Sequence, residues 1–212
     1  FCRQLATQLE VPVWNLGVSG YGTDQQYLLL KERAPQLGTA FAPDIVLVQF
    51  WGNDVDETLS DWVYGRAKPR FETGEHLQLT NVPVPLGFLE STSELYRSLK
   101  KHVVEWQQPE WTAEDRLSGQ RLVLELYRRM AAEARRTMSR LVVLHEGVPW
   151  LARALEDEPD ILQLDVAPAL EQARQKAPTH LANDGHWNAF GHRTVAAAIA
   201  RMVREQRLLQ SR

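Results

Sequence analysis

Asp184 and His186 stand two residues apart in Asn183-Asp184-Gly185-His186-Trp187-Asn188, directly ahead of an amphipathic stretch. Imidazole exchanges protons readily near neutral pH, and a neighbouring carboxylate that fixes its tautomer makes it a general base. The pair has the composition of half a catalytic triad. A complete one also needs a nucleophile and donors aimed at a developing oxyanion. Two segments offer donors. In Gly17-Val18-Ser19-Gly20-Tyr21-Gly22 the backbone N–H of Gly20 is approachable for want of a side chain, and in Gly52-Asn53-Asp54 the Asn53 amide donates without adding a titrating charge. Ser19 begins like a Gly-x-Ser-x-Gly elbow, but the closing glycine would have to be residue 21, which is tyrosine.

Each of these residue types also has a plainer use. An Asp-x-His before a helix serves as a cap beside a surface imidazole, and Gly20 and Asn53 suit turns in which φ is positive. Trp51 and Trp187 either line an acyl site or pack in the core. His192, six residues after His186, invites a metal reading that no second carboxylate or cysteine cluster supports, so no metal site is predicted. His102, His145 and His180 lack partners in the sequence and are read as structural or exposed.

Positioning such residues is the work of the surrounding elements. Phe1, Leu5 and Leu9, four apart, predict the closing turns of a helix packed on a sheet. Val11 to Leu16 reads as a short strand leading into the first glycine loop, after which Thr23 or Asp24 caps a helix to about Arg33. Asp44 to Phe50 is almost continuously apolar, as a parallel strand covered on both faces requires, and it ends at Trp51-Gly52-Asn53-Asp54. From about residue 55 to 118 the periodicity fades among Pro69, Pro83, Pro85 and Pro109, with Trp62, Trp106 and Trp111 between them. This predicts an inserted, lid-like segment with one helix near Ser93 to Trp106. Leu122, Leu126, Met130, Ala134 and Met138 mark the buried face of a helix over 120–138, with Arg128, Arg129, Arg135 and Arg136 mostly on its solvated side. Strands follow at Leu141 to His145 and Ile161 to Val166, then a short helix opened by Pro168. Asn188 caps a last helix that turns Val195, Ile199, Met202 and Val203 to the core. Alternating strands and helices predict a parallel sheet between helical layers, with ligands at the C-terminal ends of the strands.

Composition narrows the function. At 212 residues the chain suits one α/β domain. A net charge of −3 creates no field that would gather nucleic acid, and the single Cys2 rules out an internal disulfide framework. No apolar run approaches the roughly 18 to 20 residues of a membrane span.

The segments around Gly20, Asn53 and His186 together resemble the blocks of the SGNH, or GDSL-like, hydrolase family. Asn15-Leu16-Gly17-Val18-Ser19-Gly20-Tyr21-Gly22-Thr23 is similar to its second block, Gly52-Asn53-Asp54 to its third and Asp184-Gly185-His186-Trp187-Asn188 to its fifth, in the expected order over nearly the whole chain. The resemblance implies one domain over residues 1–212, with a three-layer α/β/α fold and a flavodoxin-like parallel sheet. It implies ester or other acyl chemistry with no cofactor, with His186 as base, Asp184 as its orienting acid, and Gly20 and Asn53 as oxyanion donors. The family's first block, a Gly-Asp-Ser turn that carries the nucleophile, has no counterpart here. The expectation is that this turn and the first strand lie upstream of Phe1, so that residues 1–212 are N-terminally truncated and by themselves inactive. The commoner family spacing puts the acid three residues before the histidine, where this chain has Asn183, and Asp184 fits a variant form. The expected function is a serine acyl-ester hydrolase acting on a small-molecule or carbohydrate acyl ester. The alternatives are a carbohydrate O-acyltransferase on the same fold and a non-catalytic binding domain.

Overall fold

The run Ile45–Gln49 carries apolar side chains to both of its faces and so requires cover on both. In the computed structural model, which describes residues 1–36, 42–72, 76–84, 92–107 and 110–209, this run is the first strand of a parallel sheet. In chain order the elements of the first half are α1 (Cys2–Leu9), α2 (Thr23–Gln36), β1 (Ile45–Gln49), α3 (Asp54–Leu59), β2 (Trp62–Val63), β3 (Arg66–Ala67), β4 (Arg70–Glu72) and β5 (Gln78–Thr80). Then come α4 (Glu94–Gln107), α5 (Ala113–Arg136), β6 (Arg140–His145), α6 (Pro149–Glu156), β7 (Ile161–Asp165), α7 (Ala167–Arg174), β8 (His180–Leu181), β9 (Asp184–Trp187) and α8 (Ala189–Glu205). They divide into two units: Phe1–Gly17, Leu37–Trp51 and Ala131–Arg212 form the first, Val18–Gln36 and Gly52–Met130 the second.

The first unit is a three-layer α/β/α arrangement. Its sheet has the order β1-β6-β7, all parallel, and the register aligns Leu47 with Val142 and Val142 with Leu162. Side chains alternate across a pleated strand, so these residues share one face with Ile45, Leu144 and Leu164. That face packs on Leu5 of α1, Leu170 of α7, and Val195, Ile199, Met202 and Val203 of α8. The opposite face carries Phe50, whose ring meets Trp150 of α6 edge-on at 5.6 Å. There Gln163 donates its side-chain N–H to the Ala152 carbonyl at 2.9 Å, and Leu151 and Leu155 of α6 are buried. Among the described residues no helix is long and apolar enough to cross a membrane.

Asn188 starts α8 as its residue type predicts: Oδ1 accepts from the N–H groups of Phe190 and Gly191, both at 2.9 Å. Its Nδ2 donates back to the carbonyls of Pro178 (2.7 Å) and His180 (3.1 Å), which ties the helix start to β8. Gly191 is needed beside it, because a Cβ there would lie 2.1 Å from the Thr179 carbonyl oxygen. Asn188→Ala removes the cap and both ties, so a loss of about 2 kcal/mol is expected, the upper end for N-caps, read from the urea midpoint.

In the second unit, α2, α3 and the part of α5 up to Met130 surround a core of Tyr27, Val55, Phe71, Leu122, Leu126 and Tyr127. Tyr27 and Phe71 pack at 5.7 Å between ring centroids. Two antiparallel hairpins, β2-β3 and β4-β5, lie in the segment that lacked periodicity. Inside this unit Asp24 and Lys68 form an ion pair whose side chains are 0% and 4% exposed. Asp24 thus serves α2 differently from a simple cap: one oxygen accepts the Gln25 N–H at 2.8 Å and the other takes Lys68.

Several expectations are corrected. Val11–Leu16 makes no ladder: Val13 packs on the core of the first unit, while Trp14 and Leu16 are exposed. α5 begins at Ala113, not near 120, because Thr112 and Asp115 form a reciprocal cap, each accepting the other's backbone N–H (3.1 and 2.9 Å). Met138 is 75% exposed because the helix ends before it. The Met138 N–H bonds the Arg135 carbonyl and the Ser139 N–H bonds that of Ala134, with Met138 left-handed at φ 58, a Schellman ending that turns its side chain off the buried face. The helix expected near Ser93 to Trp106 is α4, while Pro85 and Pro109 lie outside the described residues.

Candidate active site

Asp184 and His186 belong to β9, a short strand absent from the elements the sequence predicts, and residues two apart on a strand share a face. Asp184 Oδ1 accepts both the His186 backbone N–H, at 2.9 Å, and the ring Nδ1–H. The backbone N–H first, and the ring second, hold the Asp184 carboxyl below the usual aspartate value. With its proton on Nδ1 and directed to the carboxylate, the ring keeps its lone pair on Nε2, the tautomer a general base requires.

His186 is 69% exposed, so burial does not orient it; aromatic neighbours do. Trp51 lies flat against the imidazole, 5.4 Å between centroids and 7° between planes. Trp51 in turn meets the edge of buried Trp187 at 5.6 Å. The Trp187 indole N–H donates to Glu146 Oε2 at 2.7 Å, and Glu146 also pairs with His180 at 3.1 Å. Trp51 follows the end of β1 and Glu146 follows β6 directly, so both partners hold the β8-β9 hairpin at the C-terminal ends of parallel strands, the edge where such sheets bind ligands.

Gly20 and Asn53 lie in the second unit, where both meet Tyr64. Tyr64 and Gly65, at φ 51 and 78, form the two-residue turn of the β2-β3 hairpin. The Tyr64 ring covers Gly20, itself at φ 78: a Cβ there would stand 2.8 Å from Tyr64 Cδ2. Asn53 Nδ2 donates to Glu57 Oε1 and, at 3.1 Å, to the Tyr64 hydroxyl, which itself donates to Glu57 Oε1 at 2.7 Å. Because a carboxylate only accepts, the Asn53 amide must face Glu57 with its nitrogen. Burial pushes the Glu57 carboxyl up, against the hydrogen bond from Tyr64, and the same bond pushes the Tyr64 phenol up.

Glu57, Tyr64 and Glu146 carried no sequence signal of their own; only Tyr64-Gly65 between short β-rich runs hinted at a turn. Elsewhere, His192 lies in the first turn of α8, edge-on to Trp187 at 5.7 Å, and burial holds it below the ordinary histidine value. His145 is buried and bonds Gln163 at 3.2 Å, and exposed His102 bonds the Ser98 carbonyl at 2.7 Å within α4. Among the described residues no three His, Cys, Asp or Glu side chains are set to hold a metal ion.

A parallel sheet layered by helices, with a carboxylate-oriented imidazole at the C-terminal edge of its strands, defines a three-layer α/β/α domain. Consistent with it, residues 127–212 match the family model of the SGNH hydrolase-like domain of the acetyltransferase AlgX. The match includes Asp184 and His186 and supports an SGNH hydrolase-like assignment for that segment. No curated protein and no solved structure matches it.

Proposed function

We propose that the protein is a serine acyl-ester hydrolase. The observation that carries this reading is the single Asp184 oxygen that accepts both the backbone and the ring N–H of His186, which presets the imidazole as a base. A serine hydroxyl outside these residues attacks the ester carbonyl while His186 Nε2 takes its proton. Asp184 stabilises the imidazolium, and the Gly20 N–H and the Asn53 amide receive the oxyanion. Collapse expels the alcohol, protonated by His186, and leaves an acyl-serine. Water, deprotonated by the same imidazole, then releases the acid and regenerates the serine. No metal or organic cofactor enters these steps.

The match to an acetyltransferase family favours a second reading of the last step, in which a carbohydrate hydroxyl replaces water and the product is an acylated sugar. Turnover of short acyl esters by the full-length protein, compared with His186→Ala, tests the shared chemistry; equal turnover removes His186 from it. Product analysis with a polysaccharide acceptor separates transfer from hydrolysis. A full-length sequence with no Gly-Asp-Ser block supports the binding-domain alternative instead.

The stacked indole gives a further expectation. Trp51→Ala leaves an exposed imidazole without its flat support, and kcat is expected to fall by up to about a hundredfold, the cost of misplacing a reacting group by about an ångström. Trp51→Phe keeps a stackable ring and most of the rate, as steady-state kinetics on the two variants would show.

A further inference from the structure

We infer that Glu57 is a positioning residue for the oxyanion site, whose buried carboxylate holds the Asn53 amide by its nitrogen and so fixes that residue as a donor. This rests on the reading of Asn53 as an oxyanion donor. Asn53 stands at the N-cap of α3, where an asparagine oxygen ordinarily accepts from the first N–H groups of the helix, as Asn188 does at α8. Asn53 makes no such bond. Its amide turns instead to Glu57, four residues on. The Glu57 N–H donates to the Asn53 carbonyl at 2.9 Å and closes the helical turn that brings the two side chains together. Glu57 has a settled place of its own. Oε1 takes the Tyr64 hydroxyl at 2.7 Å, and Gly22 leaves it room, since a Cβ there would stand 3.1 Å from Glu57 Cβ.

Asn53 Nδ2 lies 2.5 Å from Glu57 Oε1 and 3.1 Å from the Tyr64 oxygen, and with 2.7 Å between those two the triangle has about 56° at the nitrogen. The two hydrogens of an amide nitrogen diverge by about 120°, so one serves this corner and the other points away from it. That second hydrogen is the one a substrate oxygen can take. Asn53 is exposed and Glu57 only 8% so, which leaves the amide within reach of substrate while its anchor is shielded from water. Turning the amide over would set Oδ1 against a carboxylate oxygen, two acceptors without a hydrogen between them, and disfavours that orientation by roughly tenfold or more. A donor fixed before charge develops is what an oxyanion site needs.

The test is steady-state hydrolysis of p-nitrophenyl acetate by full-length protein carrying Glu57→Gln, Glu57→Met or Asn53→Ala, and each Glu57 change combined with Asn53→Ala. Glu57→Met deletes the acceptor. Glu57→Gln keeps its shape but offers Asn53 either an oxygen or a nitrogen, and it carries the comparison alone should the methionine variant fail to fold. Asn53→Ala is expected to lower kcat on the order of a hundredfold. Glu57→Met is expected to lower it by about tenfold to a hundredfold and Glu57→Gln by about threefold to tenfold, with KM little changed because the donor acts as charge develops. On the Asn53→Ala background neither Glu57 change should cost anything further. A carboxylate that only supports the fold would cost the same on both backgrounds. That result, or parental kcat in the Glu57 variants, overturns the positioning role while the donor assignment stands. If Asn53→Ala costs nothing, or the parent does not turn over the ester, the donor assignment falls and the positioning role falls with it.

Discussion

Replacing His186 with alanine in the full-length protein is expected to reduce ester turnover by on the order of 10⁴-fold or more while leaving stability within about 0.5 kcal/mol of the parent. The two halves of this expectation come from the same geometry. His186 is 69% exposed, so its removal uncovers little, and the neighbouring Trp51 and Trp187 remain supported by each other and by Glu146. What disappears is the Nε2 lone pair that, in the proposed mechanism, accepts the nucleophile's proton. Asp184→Asn is expected to cost about 10⁴-fold as well, because an amide oxygen no longer enforces the Nδ1–H tautomer. The Asp184 carboxyl is held low by the backbone N–H and ring of His186, so it stays ionised below the ordinary aspartate value of about 3.9. Its tie to His186 within β9 is thus fully present above that value and is lost as pH falls through the lowered one. A pH–rate profile and an unfolding curve on the same samples separate catalytic from structural loss; a His186 variant that unfolds early, or one that retains its rate, contradicts the assignment.

Lys68→Met is expected to destabilise the protein by about 3 to 5 kcal/mol at pH 7, the largest stability effect anticipated for one substitution here. Lys68 and Asp24 are a buried pair, and removing the ammonium leaves the Asp24 carboxylate in the core of the second unit without its counter-charge. Burial already pushes the Asp24 carboxyl up, with Lys68 pulling the other way, and without Lys68 the upward push is unopposed. The sign of the pH dependence follows. A carboxyl raised on folding binds more protons in the folded state, so the loss grows as pH rises from the ordinary value to the raised one and shrinks on acidification. Urea midpoints at pH 7 and pH 5 check this, with a smaller deficit expected at pH 5. Asp24→Asn combined with Lys68→Met removes the stranded charge and should recover part of the loss. A Lys68→Met protein as stable as the parent at both pH values would show that the pair contributes nothing net.

Local chemistry was readable in advance wherever a few residues decide the outcome. Pro168 opening α7 and the apolar run through β1 depend on neighbours within one or two turns of chain or on one strand's composition. The start of α5 was also local, in Thr112 and Asp115, but a window that began at the apolar repeat passed over it. The two hairpins between residues 62 and 80 were not readable, since strands of two or three residues are too short to show a period. Val11–Leu16 failed for the converse reason: β-rich composition makes a strand only where a ladder partner exists.

By itself the sequence determined the Asp-x-His spacing of Asp184 and His186 and the Asn188 cap that follows, while the extended backbone of β9 puts the two side chains on one side. Which side chains surround them was decided by tertiary structure alone. Trp51 reaches His186 because β1 and the β8-β9 hairpin are held at one end of the sheet, and Lys68 reaches Asp24 across 44 residues of chain. Tyr64 meets Gly20 and Asn53 because a tight turn with two positive φ angles aims it there. Contacts within a turn follow from bond geometry and residue type, whereas these depend on where distant segments pack, a choice made by the burial of the whole core.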